Sequence, residues 1–216
     1  MVLNVPAVAS RVGRFVLDAL APHRCVNCKK IGAVVCAGCW ATVEHHTLTT
    51  PGPEPLQATV TCAEYEQPIV QKLIHELKYS SIRDAARPLV LLLTDTIRPI
   101  LQPGDVIVAI PLHARRERKR GFNQSALLAQ YLHAATKIPT VKVLHRVRNT
   151  KPQVECDAHE RRTNLKDAFV ADRRDAKRIF LIDDVTTTGT TFAEAAKALR
   201  KVTDVPILGL AVARGG

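Results

Sequence analysis

Apolar residues recur along this chain in two rhythms. Val106-Ile107-Val108-Ala109-Ile110, Ile179-Phe180-Leu181-Ile182 and the run from Ile207 to Val212 are short, continuous and rich in β-branched side chains, the pattern of buried parallel strands. Between them the spacing is helical. Pro68 opens a helix whose face carries Ile69, Leu73, Ile74 and Leu77, residues 84–100 form a second amphipathic helix, 127–135 continue a third, and Phe192 to Val202 make a fourth, packed through Ala193, Ala196, Ala198 and Leu199. Residues 59–66 alternate as a strand, 140–147 read as another, and Phe169-Val170 as a short one. Residues 149–157 show no period and predict a loop; 157–167 predict a helix that brings Arg161 and Lys166 near the sheet, and 172–177 a charged turn. Strands alternating with helices predict an α/β domain built on a mostly parallel sheet flanked by helices.

The N-terminal segment differs. Val8, Val12, Phe15, Val16, Ala19 and Leu20 lie on one helical face, but Arg11, Arg14 and Asp18 interrupt it, so it reads as a packing helix and neither a membrane span nor a signal peptide. Pro51, Gly52, Pro53 and Pro55 mark a boundary, giving an expected N-terminal module over 1–56 and a larger domain over 57–216. Within the module, Cys25 and Cys28 form one C-x-x-C pair and Cys36 and Cys39 another, each able to present two thiolates to a tetrahedral ion. Zinc suits four thiolates best; iron and a pair of disulfides are the alternatives. A structural site would then supply much of the folding free energy of so small a module. Cys62 and Cys156 read as small buried apolar residues, and His45 and His46 as surface side chains.

Charge narrows the class of partner. The 216 residues carry a formal net charge of +11, concentrated at Arg115, Arg116, Arg118, Lys119 and Arg120, then at Arg146, Arg148 and Lys151, then at Arg161, Arg162 and Lys166. Such clusters suit a polyanion, either a diphosphate-bearing small molecule or a nucleic-acid backbone. Aromatic residues are 4% of the chain, and composition alone gives no stacking platform for bases.

Two stretches carry candidate chemistry. The strand Ile179 to Ile182 runs into Asp183 and Asp184, then Val185, Thr186, Thr187, Thr188, Gly189, Thr190 and Thr191, then a helix. In an α/β sheet the crevice beyond the strands' carboxyl ends holds the ligand. Threonine hydroxyls, a glycine and free helix N–H groups make a phosphate cradle, and ionised carboxylates accept from sugar hydroxyls, so a ribose 5-phosphate fits. The structural alternative is plain turn and capping chemistry. No G-x-x-x-x-G-K-[ST] run occurs. The second stretch, Pro111 to Ser125, reads as a basic loop that leaves a strand end, enters a helix capped near Asn123 and covers a diphosphate; a solvated basic loop is its alternative.

The thirteen residues from Ile179 to Thr191 resemble the 5-phosphoribosyl-1-pyrophosphate (PRPP) motif of type I phosphoribosyltransferases. Adding the two cysteine pairs, Leu77-Lys78-Tyr79, Pro111-Leu112-His113, the Arg-Gly-Phe-Asn-Gln run at 120–124, Pro152-Gln153 and 161–165, nearly the whole chain is similar to the ComF family. That resemblance implies a zinc-ribbon module fused to a type I phosphoribosyltransferase fold, a cytoplasmic bacterial setting and a link to DNA uptake. It implies Asp183, Asp184 and Thr186 to Thr191 for PRPP, and Leu112, His113, Arg115, Arg116, Arg118 and Lys78 for its pyrophosphate, with Mg²⁺ bridging substrate oxygens. Transfer of phosphoribose to an acceptor, PRPP sensing without turnover, and handling of single-stranded DNA beside uptake-machinery proteins are the three functions it leaves open. Neither a catalytic residue nor an oligomeric state follows from the sequence.

Overall fold

The computed structural model describes residues 22–80, 82–148 and 165–216. The expected N-terminal helix, the loop at 149–157 and most of the helix at 157–167, with Arg161 and Cys156, lie outside them. In chain order the elements are α1 (Ala37–Trp40), β1 (Leu48–Pro51), β2 (Ala58–Glu64), α2 (Pro68–Tyr79), α3 (Ala86–Ile97, entered through a 3₁₀ turn at Arg83–Ala85), β3 (Asp105–Ala109), α4 (Ala114–Arg120), α5 (Gln124–Thr136), β4 (Leu144–Arg146), β5 (Phe169–Ala171), β6 (Arg178–Thr186), α6 (Thr190–Arg200) and β7 (Ile207–Arg214).

The main sheet runs β1-β2-β7-β6-β3. β6 pairs in parallel with β3 on one side, where Val106 faces Ile179, and with β7 on the other, where Ile182 faces Leu210. β2 is parallel to β7, and β1 folds back antiparallel onto β2. The fold is therefore α/β with a mostly parallel sheet. The last strand sits in the middle of that sheet, because helical crossovers and not chain order decide strand neighbours. The single strand expected over 140–147 is divided: Thr140 bridges Ile107, while β4 pairs antiparallel with β5 in a separate two-stranded sheet.

Alternation along β6 builds a core on each face. Phe180 and Ile182 pack with Leu73, Ile74 and Leu77 of α2, Leu89 and Leu93 of α3 and Leu128 and Leu132 of α5. Ile179 and Leu181 pack on the other side with Phe192, Ala195 and Leu199 of α6 and with Phe169 of β5. Val26 and Val34 of the cysteine module belong to the first of these cores, and Cys62 is fully buried, as expected. At the sheet's far end Arg178 donates to both carboxylate oxygens of Asp105, at 2.8 and 2.6 Å, tying β6 to β3.

One expectation is overturned. Residues 114–120 form the helix α4 and not a loop. Alanine, arginine, lysine and glutamate are strong helix formers, and three of the five cations, Arg118, Lys119 and Arg120, fall in the last turn, where the helix dipole favours them. His113 caps its start, accepting from the Arg115 N–H, and Gly121, at φ 83°, ends it in the left-handed region.

Phe180 is fully buried at the centre of β6. Phe180→Ala should cost about 3–5 kcal/mol. The expected readout is a lower urea midpoint with an unchanged slope of the transition.

Candidate functional site at the carboxyl edge of the sheet

β6 delivers Asp183 and Asp184 to the sheet edge at neighbouring positions, so they meet different partners. Asp184, which is 3% exposed, takes an ion pair from Lys78 on α2, Nζ to Oδ1 at 2.9 Å. Burial pushes the Lys78 ammonium down, yet the Asp184 carboxylate, with Asp183 behind it, holds it above its ordinary value. The other oxygen of Asp184, Oδ2, is buried and has no hydrogen-bond partner among the described residues. That oxygen is an acceptor without a donor, which a sugar hydroxyl or a ligand-borne cation would meet only by reaching beneath the surface.

Asp183 is half-buried. Its Oδ1 accepts from the Ser125 hydroxyl at 2.7 Å and from the Asp184 N–H at 2.9 Å. Loss of water around it, and then the Asp184 charge, push its carboxyl up to about 7. Ser125 is positioned by the cap of α5: Asn123 Oδ1 accepts from the Ser125 and Ala126 N–H groups, and Asn123 Nδ2 donates to the Ile110 carbonyl. The helix cap expected near Asn123 is thus present, and it aims a hydroxyl at Asp183.

Beyond the carboxylates the chain turns through Thr186 to Thr191 around a small cavity of ≈ 30 Å³, also lined by Asp183, Val185, Gly189 and Phe192. Gly189 adopts φ 72° and heads α6. A β-carbon there would lie 2.9 Å from Pro53 Cγ, so glycine lets the proline-rich segment seat against the loop. The hydroxyls of Thr188 and Thr190 lie 2.8 Å apart at the start of α6, whose first amides have no carbonyl partner within the helix. The cavity suits a phosphate group and is far too small for a nucleoside.

Cations surround the acidic pair. Arg146 of β4 is lowered to about 10, by burial first and then by the Arg116 cation, against an opposing pull from Asp183. Arg116 and Arg146 therefore converge on the site from α4 and β4. Arg115 and Arg118 are exposed on the outer side of α4, while Leu112 and His113 are half-buried at its start, where the His113 ring serves as the cap. The sequence places Arg146 in a basic cluster and Ser125 at the end of the stretch 111–125, but assigns neither a role in the site. Ser125 had a usable signal, its place in the first turn of a helix at the binding edge; Arg146 had only its charge.

The four cysteines of the module also meet. The sulfurs of Cys25, Cys28, Cys36 and Cys39 all lie within 4.8 Å of one another, and Cys28 and Cys36 are 3.6 Å apart. Tetrahedral zinc with Zn–S bonds of ~2.3 Å sets sulfurs ~3.8 Å apart, so the set fits such an ion. Asn27 Nδ2 donates to the Cys39 sulfur and the Cys36 N–H to the Cys25 sulfur, both at 3.5 Å. Burial pushes the Cys25 thiol up, but N–H donors led by Cys36 outweigh it and leave it at about 6, which favours the thiolate that a metal needs.

Comparison with known proteins follows the same lines. No family model matches the chain. The DNA utilization protein YhgH of Escherichia coli K12 is 35% identical over 189 residues, covering 81% of this chain and 82% of that protein. Competence protein F of Haemophilus influenzae is 34% identical over 166 residues, 73% of this chain and 68% of that one. The chain belongs to the ComF family. A further ComF relative, competence protein ComFC of Bacillus subtilis, is 35% identical over 94 residues, 44% of this chain and 38% of its own. Among solved structures, adenine phosphoribosyltransferase of Trypanosoma brucei aligns with a TM-score of 0.43 at 11% identity, over 79% of this ComF chain and 87% of the enzyme. UMP synthase of Leishmania donovani aligns at 0.37 and 11%, over 79% and 28%. Among the described residues, no helix is long and apolar enough to cross a membrane.

The raised Asp183 carboxyl makes a stability prediction. Its ordinary value is 3.8, so between about pH 4 and pH 7 the folded protein holds a proton that the unfolded chain releases. Stability should therefore fall as pH rises through that window. Thermal melts of Asp183→Asn across pH 4–8 are expected to lose this part of the slope. For the module, Cys25→Ser should release bound metal and lower the melting temperature, measured by elemental analysis and calorimetry of the same samples.

Proposed function

We propose that this ComF-family chain is a type I phosphoribosyltransferase-like protein that binds PRPP with Mg²⁺ and works on the cytoplasmic side of DNA uptake, where it handles single-stranded DNA. The observation that carries the reading is the juxtaposition at one sheet edge of the Asp183–Asp184 pair, the Thr186–Thr191 cradle and the Arg116–Arg146 cations. In this reading Thr187 to Thr191 hold the 5′-phosphate through hydroxyl and backbone donors. Asp183 and Asp184 accept from the ribose hydroxyls, a role supported by the unpaired Asp184 Oδ2 oxygen. Lys78, Arg116 and Arg146 balance the diphosphate, with Arg115 and Arg118 adding charge from the outer face of α4. Mg²⁺ arrives with the diphosphate and neutralises part of its charge. Zinc in the four-cysteine cluster is structural and anchors the module. The names of the relatives, DNA utilization and competence proteins, support the link to DNA.

The reading is a binding function first. Positioning and charge neutralisation are what these residues can supply, and they serve transfer of phosphoribose only where an acceptor nucleophile reaches the ribose C1.

Isothermal calorimetry with PRPP and Mg²⁺ tests it directly. Asp184→Asn removes a charge-assisted contact worth about 1.5–3 kcal/mol, a loss of roughly ten- to hundred-fold in affinity. Absence of heat in the wild-type protein would exclude PRPP binding. Pyrophosphate release across a panel of bases would add turnover.

A further inference from the structure

The described surface gathers cations and aromatic rings at a place that composition did not reveal. Tyr79, Arg83 and Arg87 follow one another at four-residue spacing around the corner between α2 and α3. Each meets a residue of α4, of the turn after it or of the middle of α5. The Arg120 guanidinium carbon lies 5.8 Å from the centre of the Tyr79 ring, that of Arg83 lies 4.9 Å from the Phe122 ring, and that of Arg87 lies 5.6 Å from the Tyr131 ring. Arg83 also donates to the Gly121 carbonyl at 3.3 Å, which joins the first two pairs. Two of the chain's three tyrosines stand here, and Tyr79 is 59% exposed.

We propose that this seam is a track for single-stranded DNA. The proposal rests on the reading that the protein handles single strands and names the surface that does so. A single strand is held by cations along its backbone and by rings on which unpaired bases stack. The seam supplies the cations, and its exposed ring is Tyr79, which also leans on His75 at 4.8 Å; Phe122 is buried and Tyr131 half-buried, each beneath its arginine. A guanidinium seated over a ring has its plane fixed, and here Arg120 donates to the Gln124 side chain, Arg83 to the Gly121 carbonyl and Arg87 to Asp84, so each is held in place while its positive charge still acts on a phosphate backbone. Asp84 is the acid on this track. Its Oδ1 accepts from Arg87 Nε at 2.9 Å and its Oδ2 lies 3.2 Å from His23 Nε2, so it orients Arg87 at the expense of one positive charge. The exposed cations Arg115, Arg118 and Lys119 of α4 extend the positive surface beyond Arg120. The track begins one residue from Lys78, whose ammonium meets Asp184, so a strand lying on it passes the edge of the acidic site.

Fluorescence anisotropy of the full chain with a labelled oligodeoxythymidylate of about 20 nucleotides tests the track. Tyr79→Ala should weaken binding by roughly five- to hundred-fold, and Tyr79→Phe should retain it, because stacking needs the ring and not the hydroxyl. Arg83→Ala should weaken binding and flatten the slope of log affinity against log salt by about 0.7 for each phosphate that is no longer neutralised. Lys201→Ala, just beyond α6 on the opposite side of the sheet, should bind as wild type does. Tight binding indifferent to both Tyr79→Ala and Arg83→Ala overturns the track and leaves the single-strand reading standing. Failure of the wild-type protein to bind the oligonucleotide overturns both. A duplex bound as tightly as the single strand overturns the stacking role. Tyr79 is exposed, so melts of its variants should match wild type and separate a binding defect from a folding defect.

Discussion

Asp184 keeps only 4% of its side chain in contact with solvent, and a carboxylate that far from water is stable as an anion only with a cation against it. Lys78 is that cation. Its position is fixed by the apolar face of α2, whose Leu73, Ile74 and Leu77 are fully buried against the sheet and carry the ammonium to the end of β6. The pair is a poor source of stability compared with an apolar pair of the same shape, because two ions have been taken out of water. What it supplies is orientation: breaking it would leave a buried charge, so α2 and β6 hold one relation to each other. The place of Asp184 at the sheet edge depends on that relation.

The neighbouring carboxylate is treated differently, and the contrast divides the work. Asp183 has a neutral hydroxyl and a backbone N–H as partners, both on Oδ1, and is less enclosed than Asp184. One carboxylate is locked in an ion pair, while the other, raised to about 7, is poised to exchange a proton. Two acids set apart by their surroundings on consecutive residues are a device for giving adjacent groups separate roles. Ser125 acts here as a positioning residue, since its hydroxyl occupies Oδ1 and leaves Oδ2 of Asp183 as the oxygen with spare acceptor capacity.

Much of this is legible in the amino-acid sequence, because the relevant signals are local. The apolar run into Asp183, the hydroxyl-rich turn with Gly189 and the alanine face of α6 are contiguous, and their period and turn chemistry point one way. The cysteine pairs are legible because metal geometry imposes short spacing. What sequence does not show depends on long-range pairing. Ser125 reaches Asp183 across 58 residues, and β7 is central because β2 crosses over to pair with it. The helix α4 is hidden by its own charge: a dense arginine cluster reads as a solvated loop, although the same residues have high helix propensity and a histidine cap. The cation–aromatic seam is hidden by averaging. A low aromatic content says nothing about where the few rings are placed, and three of them lie under arginines at one corner.

The basic surplus acts at two depths, and the depths respond differently to solvent. Arg146 and Arg116 lie close enough that each disfavours the other's charge, yet at about 10 the Arg146 guanidinium stays protonated at neutral pH. Their repulsion is therefore carried by the fold and is relieved by any anion placed between them and Lys78. Arg115, Arg118 and Lys119 stand in water, where counterions screen them beyond roughly 8–10 Å at physiological salt. They steer a polyanion toward the edge but hold it weakly. The inner cations, partly shielded from solvent, act at short range on a ligand already in place. An anion seated at the sheet edge would meet the inner set at short range, whereas one held in solvent would meet only the screened outer set. The basic surplus is thus one charge distribution with an inner part that acts over a few ångströms and an outer part whose reach is set by salt.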